Sequence, residues 1–436
     1  MAIVSLTSTS VTVNPLKQSQ TLGAALAFLG FKGMMPTLHG SQGCAALTKV
    51  VLARHLRSSI PINTTAMTEV ATVLGGEENV EAAILSIVEK SQPEIIGLCT
   101  TGLMETRGDD MGRFLKEIRH RHPELDYLPI VLVSTPDFKG ALQDGFAAAV
   151  ESIVKVIPQK SEKANICPKQ ITILASSAFT PGDIQEIKEI ITSFGLTPII
   201  LPDLSASLNS HLENCHIPIT TTGTNLEQLR SISNSVCTLV LGESMRNSAQ
   251  ILGQKFCTPY EVFNELTGLK ATDRFLQTLA HISGNVIPEK YRQQRRQLQK
   301  VILETHPYFG CKRVSLALEP DLLWSTTHFL RSLGMQIHAA VTTTRSPLLE
   351  ELPITSVTIG DLEDFELLAN GSDLLIANSH ADAISQRLNI PFYRLGIPIF
   401  DRLGHGQFPR VGYWGTIQLL FDIGNLLYQE EMKVRH

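Results

Sequence analysis

Residues 94–122 read EIIGLCTTGLMETRGDDMGRFLKEIRHRH. The run EIIGLCTT is apolar and β-prone, as a strand buried on both faces would be. The middle is a glycine-containing polar loop, and GRFLKEIRHRH is an amphipathic helical run. A second apolar run, PIVLVST (129–135), follows at once. Strand, loop, helix, strand at this spacing means a parallel sheet wrapped by helices.

The same alternation extends over most of the chain. QITILASS (170–177), TPIILP (197–202), CTLVLGES (237–244), RVSLALEP (313–320), MQIHAAVTTT (335–344), DLLIANS (373–379) and IPFYRLGIP (390–398) read as strands, with helical runs such as GDIQEIKEIITSFG (182–195) between them. At 436 residues the chain is too long for one ordinary core. Two interruptions divide it: the polar, proline-bracketed PQKSEKANICPKQ (158–170), and a long helix after Pro288 that ends before Gly310. The expected class is α/β, with three Rossmann-like αβα domains and parallel sheets. They are placed at 1–157, 169–284 and 305–436, with 158–168 and 285–304 as connections and a helix at the C-terminal end.

Hydrophobic residues make up 43% and charged residues 18%, a globular composition with apolar surface to spare for a subunit interface. The net charge of −5 and the lack of a basic stripe argue against nucleic acid as a partner. No signal-peptide pattern and no apolar run long enough to span a membrane are legible, so a cytoplasmic location is expected. Phosphate-cradling loops of the GxxxxGK and GxGxxG types are absent, as are HExxH and GxSxG, which leaves no support for nucleotide hydrolysis, dinucleotide binding, zinc proteolysis or serine hydrolysis.

Seven cysteines stand at 44, 99, 167, 215, 237, 257 and 311 without a CxxC pair, so no disulfide framework is indicated. Cys99 and Cys237 lie in strand-like runs and read as buried structural thiols. Cys44 differs. It ends HGSQGC (39–44) at the start of a helical run, where backbone N–H groups favour a thiolate and glycines let the main chain approach whatever the sulfur holds. A thiolate there is a metal ligand or a nucleophile; a small buried hydrophobe is the alternative. His39 is either a metal ligand or a structural hydrogen-bonder. In the loop after Cys99, Glu105, Arg107, Asp109 and Asp110 could form an ion-pair network or a docking surface, or do acid–base chemistry, while Asp109 or Asp110 is expected to cap the helix that follows.

VNPLKQSQTLGAALAFLG (13–30), HGSQGC (39–44), TTAMTEVATVLGG (64–76) and TTGLMETRGDD (100–110) occur in an order and spacing that resemble the β-type subunits of the nitrogenase component 1 superfamily. GNVIPEKYRQQRRQLQ (284–299), KRVSLALEPDLL (312–323) and PIFDRLGHGQFPRVGYWGT (398–416) extend the likeness across the chain and point to its cofactor-assembly scaffolds. In the catalytic β subunit, three cysteines of the first domain help bind an eight-iron cluster between subunits. Here the first and third of those places hold Ser19 and Gly102, and only Cys44 remains.

The resemblance implies a β-type scaffold subunit with an electron-relay role rather than an independent catalyst. Cys44 would be the one ligand from this chain to a [4Fe–4S] cluster shared with an α-type scaffold subunit, which supplies three thiolates. The two chains would form an α2β2 heterotetramer, with the transient precursor of the iron–molybdenum cofactor held mainly by the partner. The nitrogenase iron protein would dock transiently over the cluster, partly through residues 68–79, where Leu74 replaces an aromatic residue. The competing expectations are a redox enzyme subunit, either nitrogenase β or the β-type subunit of a light-independent tetrapyrrole reductase, and a cofactor-free interaction subunit.

Overall fold

The computed structural model describes residues 1–7, 14–159, 166–205 and 219–435. Among these residues, fourteen strands form three all-parallel sheets. The first contains β2 (Met34–His39), β3 (Asn63–Thr64), β4 (Ile95–Thr100) and β5 (Ile130–Val133), in the order β3-β2-β4-β5. The second contains β6 (Gln170–Ala175), β7 (Thr197–Leu201), β8 (Thr238–Leu241) and β9 (Tyr260–Phe263), in the order β7-β6-β8-β9. The third has β1 (Ile3–Leu6), β10 (Arg313–Ala317), β11 (Gln336–Thr342), β12 (Ser356–Ile359), β13 (Leu374–Ala377) and β14 (Phe392–Arg394), in the order β1-β12-β11-β10-β13-β14. Parallel neighbours need crossover connections, and the helices that supply them cover the sheets.

Two boundaries differ from the sequence reading. Residues Ile3–Leu6, assigned above to the first unit, pair in register with Ser356–Ile359 of the third sheet. Ala2 belongs to the core shared by the second and third sheets, and Leu16 packs with Val341 and Phe365, so the chain starts on the third sheet before crossing to the first. The cause is the open edge of β12, whose backbone groups need a partner that local sequence does not reveal. The second difference lies at 304/305. The helix Glu289–Phe309 runs straight through that boundary, and its Tyr291, Leu298, Val301 and Phe309 are buried in the same core. It is therefore a packed element and not a connection; Gly310 ends it, its N–H bonding His306 O at 3.0 Å. Residues 160–165 of the expected linker lie outside the described residues.

Hydrophobic cores run between layers. One unites Leu38, Cys99 and Val133 of the first sheet with Leu174 and Val240 of the second, and another unites Ile173 and Leu241 with Leu316 and Ile376 of the third. All three sheets meet at a polar junction. Asp321 N donates to Gln143 Oε1 at 2.9 Å, and Asp321 Oδ2 accepts from Ser244 N at 3.2 Å and Ser244 Oγ at 2.6 Å. Gln143 comes from the helix Leu142–Val156 after β5, Ser244 from the loop after β8, and Asp321 from the helix Pro320–Ser332 after β10.

Burial at this junction raises Asp321 to about 6 and Glu319 to about 8, although Thr343 Oγ1 donates to Glu319 Oε2 at 2.7 Å. Glu319 is thus protonated in the folded chain at neutral pH, while an unfolded glutamate ionises near 4.5. Its contribution to stability is full below pH 4.5 and is lost progressively as pH rises toward 8. Glu319→Gln keeps a carbonyl for Thr343 and cannot ionise. Urea unfolding at pH 5, 6.5 and 8 should show the variant gaining on wild type with rising pH, by an amount on the order of 1–3 kcal/mol at the top of the range. A pH-independent difference between the two would mean that Glu319 is ionised in the folded chain.

Candidate functional site

Ligands of open parallel sheets bind beyond the carboxyl ends of the strands, and the residues singled out above gather at that end of the first sheet. Strand β2 is wholly buried and ends at His39. Gly40 follows in close contact with the loop after β4, since a Cβ on it would lie 2.5 Å from Thr101 Cγ2. Ser41 is the N-cap of the helix Gln42–Leu56, which places Cys44 in its first turn, exposed to solvent, with Ser41 Oγ 3.4 Å from Cys44 Sγ. The far end of this helix is fixed, because Ile399 N donates to the buried His55 Nδ1 at 3.1 Å. Burial holds that imidazole neutral by lowering it to about 3.

Exposed apolar side chains accompany Cys44. Leu47 and Val50 extend from the same helix, Val70 and Val73 from the helix Glu69–Leu74, and Leu103 from the helix Gly102–Arg107; Val73 is 79% exposed. Large exposed apolar groups on successive loops of one sheet end are the mark of a protein interface. The side chain of Leu74 lies outside the described residues.

Ser19 and Gly102 hang from the same sheet end. Ser19 caps the helix Gln20–Phe28, its Oγ accepting from Leu22 N at 3.1 Å, and Gly102 begins the helix that follows β4. Asp137, which the sequence analysis passed over, joins them: its carboxylate faces the backbone of Gly102, Gln20 and Thr21, whose N–H groups favour its charged form. Burial nonetheless pushes it above the usual aspartate range. A Cβ on Gly102 would lie 3.2 Å from Asp137 Cβ and 3.3 Å from Oδ2, so this carboxylate occupies the space beside residue 102. The available signal was STPD after the strand PIVLVST, an acid placed where helix N-termini converge.

The other candidates resolve as follows. His39 is fully buried, with Nδ1 3.0 Å from Thr65 Oγ1, and serves as a structural hydrogen-bonder. Asp110 is the helix cap, accepting Arg113 N at 2.9 Å, while Asp109 pairs with Arg107 at 3.2 Å. Cys99 is buried, its thiol pushed up to about 12 by desolvation and directed at Thr37 O. Cys237 is raised to about 11 for the same reason. Cys215 lies outside the described residues.

Among the described residues no group of three or more His, Cys, Asp or Glu side chains could hold a metal ion. No helix among them is long and apolar enough to cross a membrane. A cavity of about 340 Å3, bordered by His55, Tyr393, Arg402, Arg410 and Phe421, lies under the far end of the Cys44 helix. Its arginines already engage Asp183 and Asp422.

The family described as nitrogenase component 1 type oxidoreductase matches residues 19–428. The chain is 65% identical to the nitrogenase iron-molybdenum cofactor biosynthesis protein NifN of Nostoc sp. (strain PCC 7120), over 100% of this chain and 98% of that protein. It is 35% identical to NifN of Klebsiella pneumoniae, over 100% and 95%. A solved chain of nitrogenase Cp1 at pH 6.5 superposes with a TM-score of 0.90 at 31% identity, covering 97% of this chain and 95% of that one. The chain belongs to the nitrogenase component 1 type oxidoreductase family, within its NifN group.

Proposed function

We propose that this chain is the β-type subunit of the scaffold on which the iron–molybdenum cofactor of nitrogenase is built. Its partner is the α-type subunit NifE, in an α2β2 heterotetramer located in the cytoplasm. The two chains share a [4Fe–4S] cluster at their interface, to which Cys44 contributes the one thiolate from this side. The cofactor precursor resides mainly on NifE, and the nitrogenase iron protein NifH docks transiently.

The observation that carries this reading is an exposed cysteine in the first turn of a helix, surrounded by exposed apolar side chains. A buried structural thiol would look like Cys99. The residues suit one corner of a shared cluster. Cys44 stands in the first turn of its helix, and Gly43 has open space beside it, with only Ser41 Oγ near a Cβ, at 3.9 Å. They do not suit a larger cluster held on this side. Ser19 spends its side chain on a helix cap, Gly102 has none, and Asp137 sets a carboxylate between them. Such a cluster supplies one-electron transfer. This chain's part is to hold the thiolate at the interface, to keep the helix rigid through His55, and to present the valines of helix 69–74 to a docking protein.

Two experiments on the co-purified complex test the assignment. Cys44→Ala should lower the iron and acid-labile sulfide content, or change the electron paramagnetic resonance signal of the reduced cluster, with the chain still folded because no disulfide depends on this loop. Cys99→Ala should keep that signal and lose on the order of 1–2 kcal/mol of packing stability. Wild-type iron, signal and maturation in Cys44→Ala would remove Cys44 as a ligand. Val73→Asp should slow iron-protein-dependent maturation roughly tenfold while the α–β complex still co-purifies, since a charge at the centre of an apolar contact is costly there. An unchanged maturation rate would place the docking surface elsewhere.

A further inference from the structure

Three side chains unused by the reading above connect helix 69–74 to the loop that carries Cys44. Arg107 Nη1 donates to Ala71 O of that helix at 2.9 Å, and Arg107 Nε lies 3.2 Å from Asp109 Oδ1. Asp109 turns its other oxygen inward, 3.8 Å from His39 Nε2. On the opposite side of the imidazole, Nδ1 meets Thr65 Oγ1 at 3.0 Å, and the same hydroxyl accepts Gly40 N–H at 3.2 Å. The hydroxyl accepts from Gly40, and in the tautomer in which it donates to Nδ1 the imidazole proton sits on Nε2 and faces the carboxylate.

Gly40 is tightly constrained. Its carbonyl accepts from Met67 N at 2.9 Å and Thr64 Oγ1 at 3.1 Å, and Thr101 blocks movement on the side of its missing Cβ. Between Thr65 and Met67, Ala66 adopts φ +51°, a left-handed conformation that non-glycine residues hold only when their surroundings enforce it. Four residues after Gly40 the chain reaches Cys44.

One joint in this chain is open. His39 Nε2 and Asp109 Oδ2 are buried, and neither has a hydrogen-bond partner. Their separation of 3.8 Å is too long for a hydrogen bond and too short to admit a bridging water. A displacement of about 1 Å closes it. In that tautomer a buried donor and acceptor stand just out of reach, and closing the gap offers the pair a second position of the kind that coupling between distant points requires.

We propose that Arg107, Asp109 and His39 are positioning residues for Cys44, a linkage through which a load on helix 69–74 makes or breaks the His39–Asp109 hydrogen bond and resets the 40–44 loop. Its consequence for cluster chemistry rests on the reading of Cys44 as a ligand; the linkage itself does not.

The test is the rate at which iodoacetamide alkylates Cys44 in the full-length, iron-free chain, followed peptide by peptide by mass spectrometry. Arg107 is accessible enough to be replaced without opening the core, its side chain being 21% exposed. Arg107→Ala and Asp109→Asn should each change the Cys44 rate by roughly threefold or more, with the rates at Cys257 and Cys311 unchanged. The double variant should match Asp109→Asn alone, because links of one chain are not additive. Three results overturn the proposal: a Cys44 rate within about twofold of wild type in either single variant, effects that simply add in the double variant, or equal changes at Cys257 and Cys311, which report general loosening. His39→Gln adds the central link, but the conclusion does not depend on that buried variant folding. Since the readout contains no iron, failure of the cluster assignment, seen as wild-type iron in Cys44→Ala, leaves this result intact.

Discussion

The carboxyl end of the first sheet, where Cys44 stands, depends on a helix with no exposed residue. All nine residues of Gln20–Phe28 are buried, between the first sheet and the helix Leu142–Val156. The two helices touch backbone to backbone: a Cβ on Gly23 would fall 2.0 Å from Leu142 O, and one on Gly145 would fall 1.9 Å from Gln20 O. Any side chain at either position would force them apart. This contact fixes the N-terminus of the first helix, so that Ser19 can cap it and the Asp137 carboxylate can face it together with Gly102. The second helix carries the constraint onward through Gln143 to Asp321 of the third sheet.

Against this frame the Cys44 helix is fixed at one end and presented at the other. His55, in its last turn, is bonded to the Ile399 backbone and kept neutral by burial, while its first turn is open to solvent. Such a rod holds the Cys44 side chain in a defined place without enclosing it. The elements around the free end are short: helix 69–74 and helix 102–107 each have six residues, and both expose apolar side chains. Stability is concentrated where the layers share cores, and the groups available for recognition lie where they do not.

Much of this was legible locally. The strands before Cys44 and Gly102 announce themselves as unbroken apolar runs, because a parallel strand covered on both faces has no polar side. Asp110 is readable as a cap because capping needs only a short acceptor just before an amphipathic run, and Cys99 is readable as buried because its strand is. Misreadings arose where the relevant partner is far away in sequence. Ile3–Leu6 pairs with a strand some 350 residues later, and helix 289–309 looked like a connection because its charged face dominates the sequence while its buried face needs two sheets to pack against.

The sequence by itself determined the class of the fold, the family and the unusual standing of Cys44, since apolar periodicity, ordered motifs and helix-start chemistry are all properties of neighbouring residues. Only the tertiary structure decided what surrounds that cysteine. Asp137 meets Gly102 and Gln20 across gaps of 35 and 117 residues, and His39, at the end of β2, faces Thr65 and Asp109 of two other segments. A side chain's role at such a place follows from which donors, acceptors and low-dielectric walls converge on it, and that convergence exists only once the strands are aligned and their carboxyl ends brought together.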